Sequence, residues 1–168
     1  HHRSSAASDV YKRQSINGIE EADLIFLIGT NPRYEATILN ARIRKSYLNN
    51  NTKILSLNDN GDLTYPYENL DGNTQTLKNI FEGTNDLSKI ILDSKKPMII
   101  LGESFLRLNS AEFLYEKMFE FLKLNDKFSE YWNPINILSC DAASVGNFDL
   151  GLINNENKVF NYGWIKKQ

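Results

Sequence analysis

Short apolar runs alternate with longer segments of helical periodicity along this chain. The first run, Leu24–Ile28, is apolar at every position and lies between an aspartate and a glycine, which is typical of a strand buried on both faces of a parallel sheet. Further short runs dominated by apolar residues predict strands at residues 53–57, 98–101 and 136–139. Turn-forming residues border these runs, so the pattern predicts separate strands joined by longer connections.

Helices are predicted in the connections between these strands. Asn31 is a favourable N-cap, and Pro32 suits the first helical position. Leu39, Ile43 and Tyr47 then recur at four-residue spacing, which predicts an apolar stripe on one helix that ends at the asparagines after it. Two further helices are predicted at residues 76–82 and at Asp86–Asp93. The spacing of Asn109 to Glu112 matches a capping box and predicts the start of a long helix whose apolar face contains Leu114, Met118, Phe121 and Leu122.

The alternation of strands and helices predicts an α/β fold. An open, mainly parallel sheet with helices on both faces and right-handed crossovers is the arrangement that suits this order. Residues 64–74 are rich in Pro, Gly and Asn and predict an ordered loop whose tyrosines pack on the sheet. Phe128, Tyr131 and Trp132 precede the last predicted strand and are predicted to form an aromatic plug over the sheet.

The two ends of the chain differ from this pattern. Residues 1–14 are rich in Ser and Ala and lack hydrophobic periodicity, which indicates a tag, an adaptor or a disordered segment. A short organelle-targeting piece is the alternative, which Asp9 disfavours. Residues 15–157 are predicted to be part of a larger α/β domain, and residues 158–168 are predicted to be a truncated tail.

Composition narrows the classes of function. Nineteen Lys plus Arg against 21 Asp plus Glu give a net charge of −2, so no basic excess favours nucleic acid as a partner. No apolar stretch approaches the roughly 18 to 20 residues that a spanning helix needs, so direct membrane insertion is not expected. The single Cys140 excludes an internal disulfide and a four-cysteine metal site, and the only histidines are His1 and His2.

One turn has the position of a ligand site. Gly29, Thr30 and Asn31 follow the first strand, and ligands of doubly wound folds bind at the carboxyl ends of strands, beside a helix N-terminus that favours anions. The turn lacks the repeated glycines of a dinucleotide fingerprint and the Gly-Lys pair of a P-loop. A glycine turn followed by an asparagine cap explains the same residue types and is the favoured interpretation.

Other candidate groups have simpler explanations as well. Glu20, Glu21 and Asp23 are predicted to form a charged turn before the first strand, not an acid-base pair, because no nucleophile accompanies them. Arg42, Arg44 and Lys45 predict a solvated or salt-bridged helix face. Alternatively, Arg42 and Lys45 could pair with acids of a neighbouring subunit. Cys140 follows a predicted strand and is predicted to be a structural thiol, since no histidine is available to activate it.

Two short sequence strings in fixed order resemble those of a known protein family. The string GTNPRYEA at residues 29–36 is followed by NARIRK at residues 40–45, and this ordered pair resembles the large iron–sulfur subunit of respiratory complex I. The resemblance covers about residues 15–153. It departs at Thr37, where the family often has Pro, and the chain after Ile153 has no clear match.

The resemblance implies a part of the molybdopterin-oxidoreductase-like domain of that NADH:quinone oxidoreductase subunit. It implies no catalytic or metal-binding residue in this segment, no cofactor bound here, and at most a vestigial anion or pterin site at Gly29, Thr30 and Asn31. The parent subunit is expected to carry 2Fe–2S and 4Fe–4S clusters and to contact other peripheral-arm subunits. It is expected at the cytoplasmic face of the bacterial inner membrane or the matrix side of the mitochondrial one.

Two other hypotheses remain open on the sequence. The segment could belong to an active molybdopterin-dependent oxidoreductase, for which Cys140 is the only thiol candidate as a metal ligand. Alternatively, the chain could be an α/β module that binds a nucleotide or phosphate at Thr30 and Asn31.

Overall fold

Five parallel strands form one sheet in the part of the chain that the structure describes, which is residues 16–138 of a computed structural model. The strands are β1 (Leu24–Ile28), β2 (Lys53–Ser56), β3 (Glu68–Asn69), β4 (Pro97–Leu101) and β5 (Ile135–Ile137). Their order across the sheet is β3-β2-β1-β4-β5, and each neighbouring pair is parallel. The predicted α/β class and its parallel sheet are confirmed.

Helices fill three of the four connections between strands, and a loop joins β2 to β3. The helices are α1 (Pro32–Glu35), α2 (Thr37–Asn50), α3 (Thr74–Phe81), α4 (Asp86–Asp93), α5 (Glu103–Leu106) and α6 (Ala111–Leu124). A 3₁₀ turn, Ile16–Glu21, leads into β1. The chain winds outward from β1 to β3 and then returns to place β4 on the other side of β1, so the strand order reverses between β1 and β4.

The sheet separates two apolar layers. Alternate residues of β1 face opposite sides: Leu24, Phe26 and Ile28 join one cluster, and Ile25 and Leu27 join the other. The first cluster lies against α3, α4, α5 and α6. The second lies against the 3₁₀ turn, α2 and the loop after β2. Because β1 is covered on both faces, all of its residues are apolar, as its sequence indicated.

The second layer is partly polar where α2 faces the sheet. The buried residues of α2 are Asn40, Ile43 and Ser46. The Asn40 amide donates to the Leu63 carbonyl at 3.1 Å and accepts from the Tyr65 hydroxyl at 2.8 Å. The Ser46 and Thr52 hydroxyls lie 2.6 Å apart. Every one of these buried polar groups therefore has a partner, as burial requires.

The stripe predicted on this helix is confirmed. Ile43 is fully buried, and Leu39 and Tyr47 are half-buried and pack against the same apolar cluster. The helix is not continuous from Pro32, however, because Ala36 adopts φ −153° and ψ 79° and separates α1 from α2. The buried Asn40 and Ser46 lie beside the stripe and were not predicted.

Several smaller predictions also need correction. The loop predicted at residues 64–74 contains the short strand β3, whose Glu68 is paired with Leu55. The capping box predicted for the long helix is wrong, because α6 begins after Ser110, which makes no side-chain cap, and α5 precedes it. The last predicted strand is Ile135–Ile137, and Ser139 lies outside the described residues.

The predicted aromatic plug is wrong as a single feature. Trp132 is buried in the α2 layer, where its indole N–H donates to the Pro97 carbonyl at 2.9 Å. Phe128 packs on the opposite layer, with its ring centroid 5.1 Å from that of Phe119. Tyr131 is 84% exposed. The intervening turn places the three rings in different environments, so sequence proximity did not imply a common cluster.

The charged groups around the amino end of β1 are paired within the chain. Glu20 forms ion pairs with Arg42 and with Lys45, the latter at 2.7 Å, which confirms the salt-bridged helix face. Glu21 pairs with Lys96 at 2.6 Å. These contacts join the 3₁₀ turn to α2 and to the residues before β4, so the acids of the predicted charged turn hold elements together.

Asp23 is the anchor between the turns before β1 and β4. Its carboxylate accepts from the Ser94 hydroxyl and from the backbone N–H groups of Lys95 at 2.6 Å and Lys96 at 3.0 Å. Partial burial raises the pKa of Asp23, but the hydrogen bonds from Ser94, Lys95 and Lys96 outweigh it and lower the pKa below its ordinary value.

Replacing Asp23 by Asn should therefore lower stability in a pH-dependent way. Because the pKa of the folded state is depressed, the stabilisation is present above the unfolded-state pKa of about 3.9 and is lost as the pH falls through the folded value. We expect Asp23→Asn to cost about 1 kcal/mol at neutral pH, a modest value because the carboxylate is exposed to solvent. Urea unfolding of both proteins from pH 7 to pH 3 measures it, and a difference that stays constant with pH would contradict the assignment.

Candidate functional site

The candidate site lies at the carboxyl ends of β1 and β4, where the strand order reverses. Ligands of doubly wound folds bind in a crevice at this position. Here the two strand ends lead directly into glycine turns, at Gly29 after β1 and at Gly102 after β4. The Gly102 N–H donates to the Ile28 carbonyl at 2.9 Å, which continues the ladder between the strands into the turns.

The two glycine turns are in direct contact. A Cβ atom on Gly102 would lie 2.2 Å from the Gly29 carbonyl oxygen and 2.5 Å from the Thr30 Cβ. A Cβ atom on Gly29, which has φ +64°, would lie 2.5 Å from the Phe105 backbone nitrogen. Only glycine permits such an approach. Backbone and the start of α5 therefore fill the space between the strand ends.

The donors that could bind an anion at this turn are already used. The Thr30 hydroxyl donates to Glu35 Oε2 at 2.6 Å, and the Asn31 backbone N–H donates to Glu35 Oε1 at 3.0 Å. Thr30 is only 5% exposed, so its hydroxyl needs this partner. A carboxylate of the chain thus occupies the position at which an external anion would meet these two donors.

Asn31 has the capping role predicted from the sequence. Its side-chain oxygen accepts from the Arg33 backbone N–H at 3.2 Å, which confirms the N-cap. Its side-chain amide donates to the Asn60 carbonyl at 3.0 Å, and the Asn60 amide donates to the Thr30 carbonyl at 3.1 Å. This reciprocal pair joins the turn after β1 to the turn after β2 and uses both functions of the Asn31 side chain.

The loop after β2 forms the rim of the site, and hydrogen bonds between its own residues hold it in place. The Tyr67 hydroxyl donates to Asp59 at 2.7 Å and accepts from the Asn60 backbone N–H at 2.8 Å. Arg33 pairs with Asp62 at 2.7 Å. The backbone N–H of Thr64, and then Arg33, lower the pKa of Asp62 below its ordinary value.

The electrostatic character of this rim disfavours phosphate. The carboxylates of Glu35, Asp59 and Asp62 lie around the turn, and the Arg33 guanidinium is paired with Asp62. Hydrogen bonds from Gly61 and Tyr67 lower the pKa of Asp59, which keeps it charged. A phosphate group would meet repulsion from these acids.

The remaining candidate residues do not join this site. Glu20, Glu21 and Asp23 lie at the opposite, amino end of the sheet, where they are engaged in the ion pairs and hydrogen bonds described above. Cys140 lies outside the described residues. Between residues 16 and 138, no group of three or more His, Cys, Asp or Glu side chains could hold a metal ion.

Sequence inspection missed the residues that complete the site. Glu35 lies inside the GTNPRYEA string, but nothing in its position predicts that its carboxylate turns back to Thr30. The sequence around Asn60 indicates a turn and nothing further. Both turns at residues 29 and 60 follow parallel neighbouring strands, so their common edge was the available signal for placing them together.

Comparison with known proteins shows where the chain belongs. The family model for molybdopterin oxidoreductase matches residues 3–167. The NADH-ubiquinone oxidoreductase 75 kDa subunit of Reclinomonas americana is 42% identical over 134 residues, which is 80% of this chain and 19% of that protein. The mitochondrial 78 kDa subunit of Neurospora crassa is 38% identical over 152 residues, 89% of this chain and 20% of that protein.

A plant relative extends the same picture. The mitochondrial NADH dehydrogenase [ubiquinone] iron-sulfur protein 1 of Solanum tuberosum is 33% identical over 158 residues, 94% of this chain and 21% of that protein. The chain thus spans about a fifth of the length of these relatives. In the described part, no helix is both long and apolar enough to cross a bilayer. The predicted resemblance is confirmed, and the chain belongs to the molybdopterin oxidoreductase family.

Proposed function

We propose that this chain is a structural part of the large subunit of a proton-translocating NADH:quinone oxidoreductase, without a redox centre of its own. In this proposal electrons pass from NADH to quinone through 2Fe–2S and 4Fe–4S clusters held elsewhere in the subunit, and this domain supports neighbouring peripheral-arm subunits. The location is the peripheral arm, at the cytoplasmic face of a bacterial inner membrane or on the matrix side of the mitochondrial one.

The contact between Gly29 and Gly102 carries this proposal. A molybdopterin cofactor at the switch point would need space and free donors between the two strand ends. The approach of Gly102 to the Gly29 carbonyl leaves no room for even one added carbon, since a Cβ there would lie 2.2 Å from that oxygen. This contact supports the proposal, because main chain and the start of α5 lie where a pterin between the two strand ends would have to bind.

Glu35 supports the same proposal through its charge. Its carboxylate accepts from both Thr30 and Asn31, so a phosphate of a nucleotide or of a pterin would have to displace a covalently attached competitor. A tethered group has a high effective concentration at its site. The nucleotide-binding alternative is therefore disfavoured by the contacts of the very residues that suggested it.

The cofactor assignment to the rest of the subunit rests on residue counts and on a relative. The chain has one cysteine, whereas an iron–sulfur cluster is held by about four protein ligands. The Solanum tuberosum relative is named as an iron-sulfur protein, and about four fifths of its length lies outside the matched span. Cluster ligands from those other regions account for both observations.

Metal analysis of the complete subunit tests the proposal. In the assembled complex, purified from cells supplied with molybdate and tungstate, iron should be present at cluster stoichiometry while molybdenum and tungsten remain at trace level. A catalytic molybdopterin enzyme from the same cells serves as the control for metal supply. The 168-residue chain, after anaerobic incubation with iron and sulfide, should give no paramagnetic cluster signal on reduction. Near-stoichiometric molybdenum, or a cluster on the chain alone, would refute the proposal.

Replacing Gly102 by Ala should destabilise the chain, because the added methyl group would collide with the turn after β1. Gly102 has φ −92°, which alanine adopts without strain, so the loss reports only the collision with Gly29 and Thr30. We expect a cost of about 3 kcal/mol in urea unfolding, the upper range for overpacking. Gly61→Ala is the matched control, because its Cβ would meet nothing within 4 Å and only its φ of +65° is unfavourable, at about 1 kcal/mol. Equal losses in the two variants would show that the turns can separate.

The hydrogen bond between Thr30 and Glu35 should appear as a coupling energy. Thr30→Val and Glu35→Ala each remove one partner, and the loss in the double variant should be smaller than the sum by about 1 kcal/mol. Equilibrium unfolding of the four proteins gives this value. Additive losses would mean that the two side chains do not interact in solution.

A further inference from the structure

Helix α2 carries apolar residues both on the side that faces the sheet and on the side that faces solvent. On the sheet side, Ile43 is buried and Leu39 and Tyr47 pack against the same apolar cluster, beside the buried Asn40 and Ser46. Its Ile38 and Leu48 side chains are 71% and 66% exposed. A helix covered on one side only normally places its apolar residues on that side. Apolar residues on both sides are typical of a helix that is covered on both sides.

The exposed apolar residues of α2 share one side with an arginine. Ile38, Ala41, Arg44 and Leu48 are all exposed and follow one another at spacings of three, three and four residues, so they lie on one side of the helix. We call these four residues the outer strip. Isolated exposed apolar side chains need no explanation, but here they share one side, opposite the side that packs on the sheet.

The size of the outer strip indicates what covers it. A helix of 14 residues is about 21 Å long and about 10 Å wide, which gives a face of roughly 200 Å². A specific complex between separate molecules buries about 800 Å² on each partner. The strip alone is smaller than the surface that a separate molecule normally buries, which favours an element of the same polypeptide, whose association entropy is already reduced by the tether.

The polypeptide of the relatives is long enough to supply such an element. The matched span is 19% to 21% of their length. The chemistry of the strip defines the element further. Ala41 at its centre allows another helix to approach closely, at an axial distance of about 8–10 Å. Arg44 makes no ion pair with the residues described between 16 and 138, and acts on Asp62 only as a nearby charge.

We propose that a helix of the same polypeptide, from outside the span shared with this chain, packs its apolar side on the outer strip and places a carboxylate opposite Arg44. The strip is thus an interface inside the large subunit, and α2 is the middle layer between the sheet and that helix. This inference rests on family membership and does not depend on whether the domain holds a redox centre.

Thiol labelling at position 41 tests the interface. Ala41→Cys is introduced into the 168-residue chain and into the complete subunit that contains it. Modification by N-ethylmaleimide is then followed by mass spectrometry of the peptide that carries residue 41, relative to the same protein in urea. In the chain alone the rate should be close to the unfolded rate. In the complete subunit it should be slower by about a hundredfold or more, since reaction then requires local opening.

Two further variants make the test specific. Ser46→Cys, on the buried side of α2, should label slowly in both proteins. If it labels rapidly in the chain alone, the proposal is judged from the labelling rates in the complete subunit, with and without the Arg44 substitutions. There, Arg44→Glu should raise the rate at position 41 by about tenfold because it meets a carboxylate, whereas Arg44→Lys should leave it slow.

Other occupants of the strip give different results. Fast labelling at position 41 in the complete subunit would overturn the proposal, and protection only after addition of the other subunits would assign the strip to one of them. Slow labelling in the chain alone that becomes fast on dilution would assign it to a second copy. An unchanged rate in Arg44→Glu would refute the carboxylate.

Discussion

The close approach of two glycine turns determines the character of this domain. Gly29 and Gly102 end the two strands between which the strand order reverses, and each lacks the carbon atom that would hold the turns apart. Their contact fixes where α1 and α5 begin, and it brings Thr30 and Phe105 into the same small space. A doubly wound sheet normally leaves this position open for a ligand. Here the ordinary geometry of the fold is kept while the opening is filled by main chain.

Polar and charged side chains add further contacts around the two glycine turns. The donors exposed by the turn after β1 meet the Glu35 carboxylate, and the loop after β2 surrounds them with Asp59 and Asp62. The Asn31 and Asn60 side chains then join the two turns through reciprocal hydrogen bonds. Each of these polar groups is therefore used to hold the end of the sheet together.

The sequence predicted the strands better than it predicted the contacts between segments. Leu24–Ile28 and Asp86–Asp93 agree with the structure at both ends, because an uninterrupted apolar run and an asparagine cap are local signals. The buried Asn40 was missed because its burial depends on a contact with Tyr65, which is 25 residues away. The break at Ala36 was missed because no residue type there signals that Glu35 turns back to Thr30. The candidate turn was found from its position after a strand, but its filling by Gly102 and Phe105 comes from residues more than seventy positions away.

The attachment of Glu35 to its own turn has a consequence for biogenesis. In proteins whose crevice is completed by a bound small molecule, stability increases with the concentration of that molecule by mass action. The protein without the bound molecule is less stable. The Glu35 carboxylate is part of the same chain as Thr30 and Asn31, so it does not have to bind from solution. The hydrogen bonds that Glu35 accepts from Thr30 and Asn31 therefore need no second molecule, and they can form as soon as this part of the chain folds.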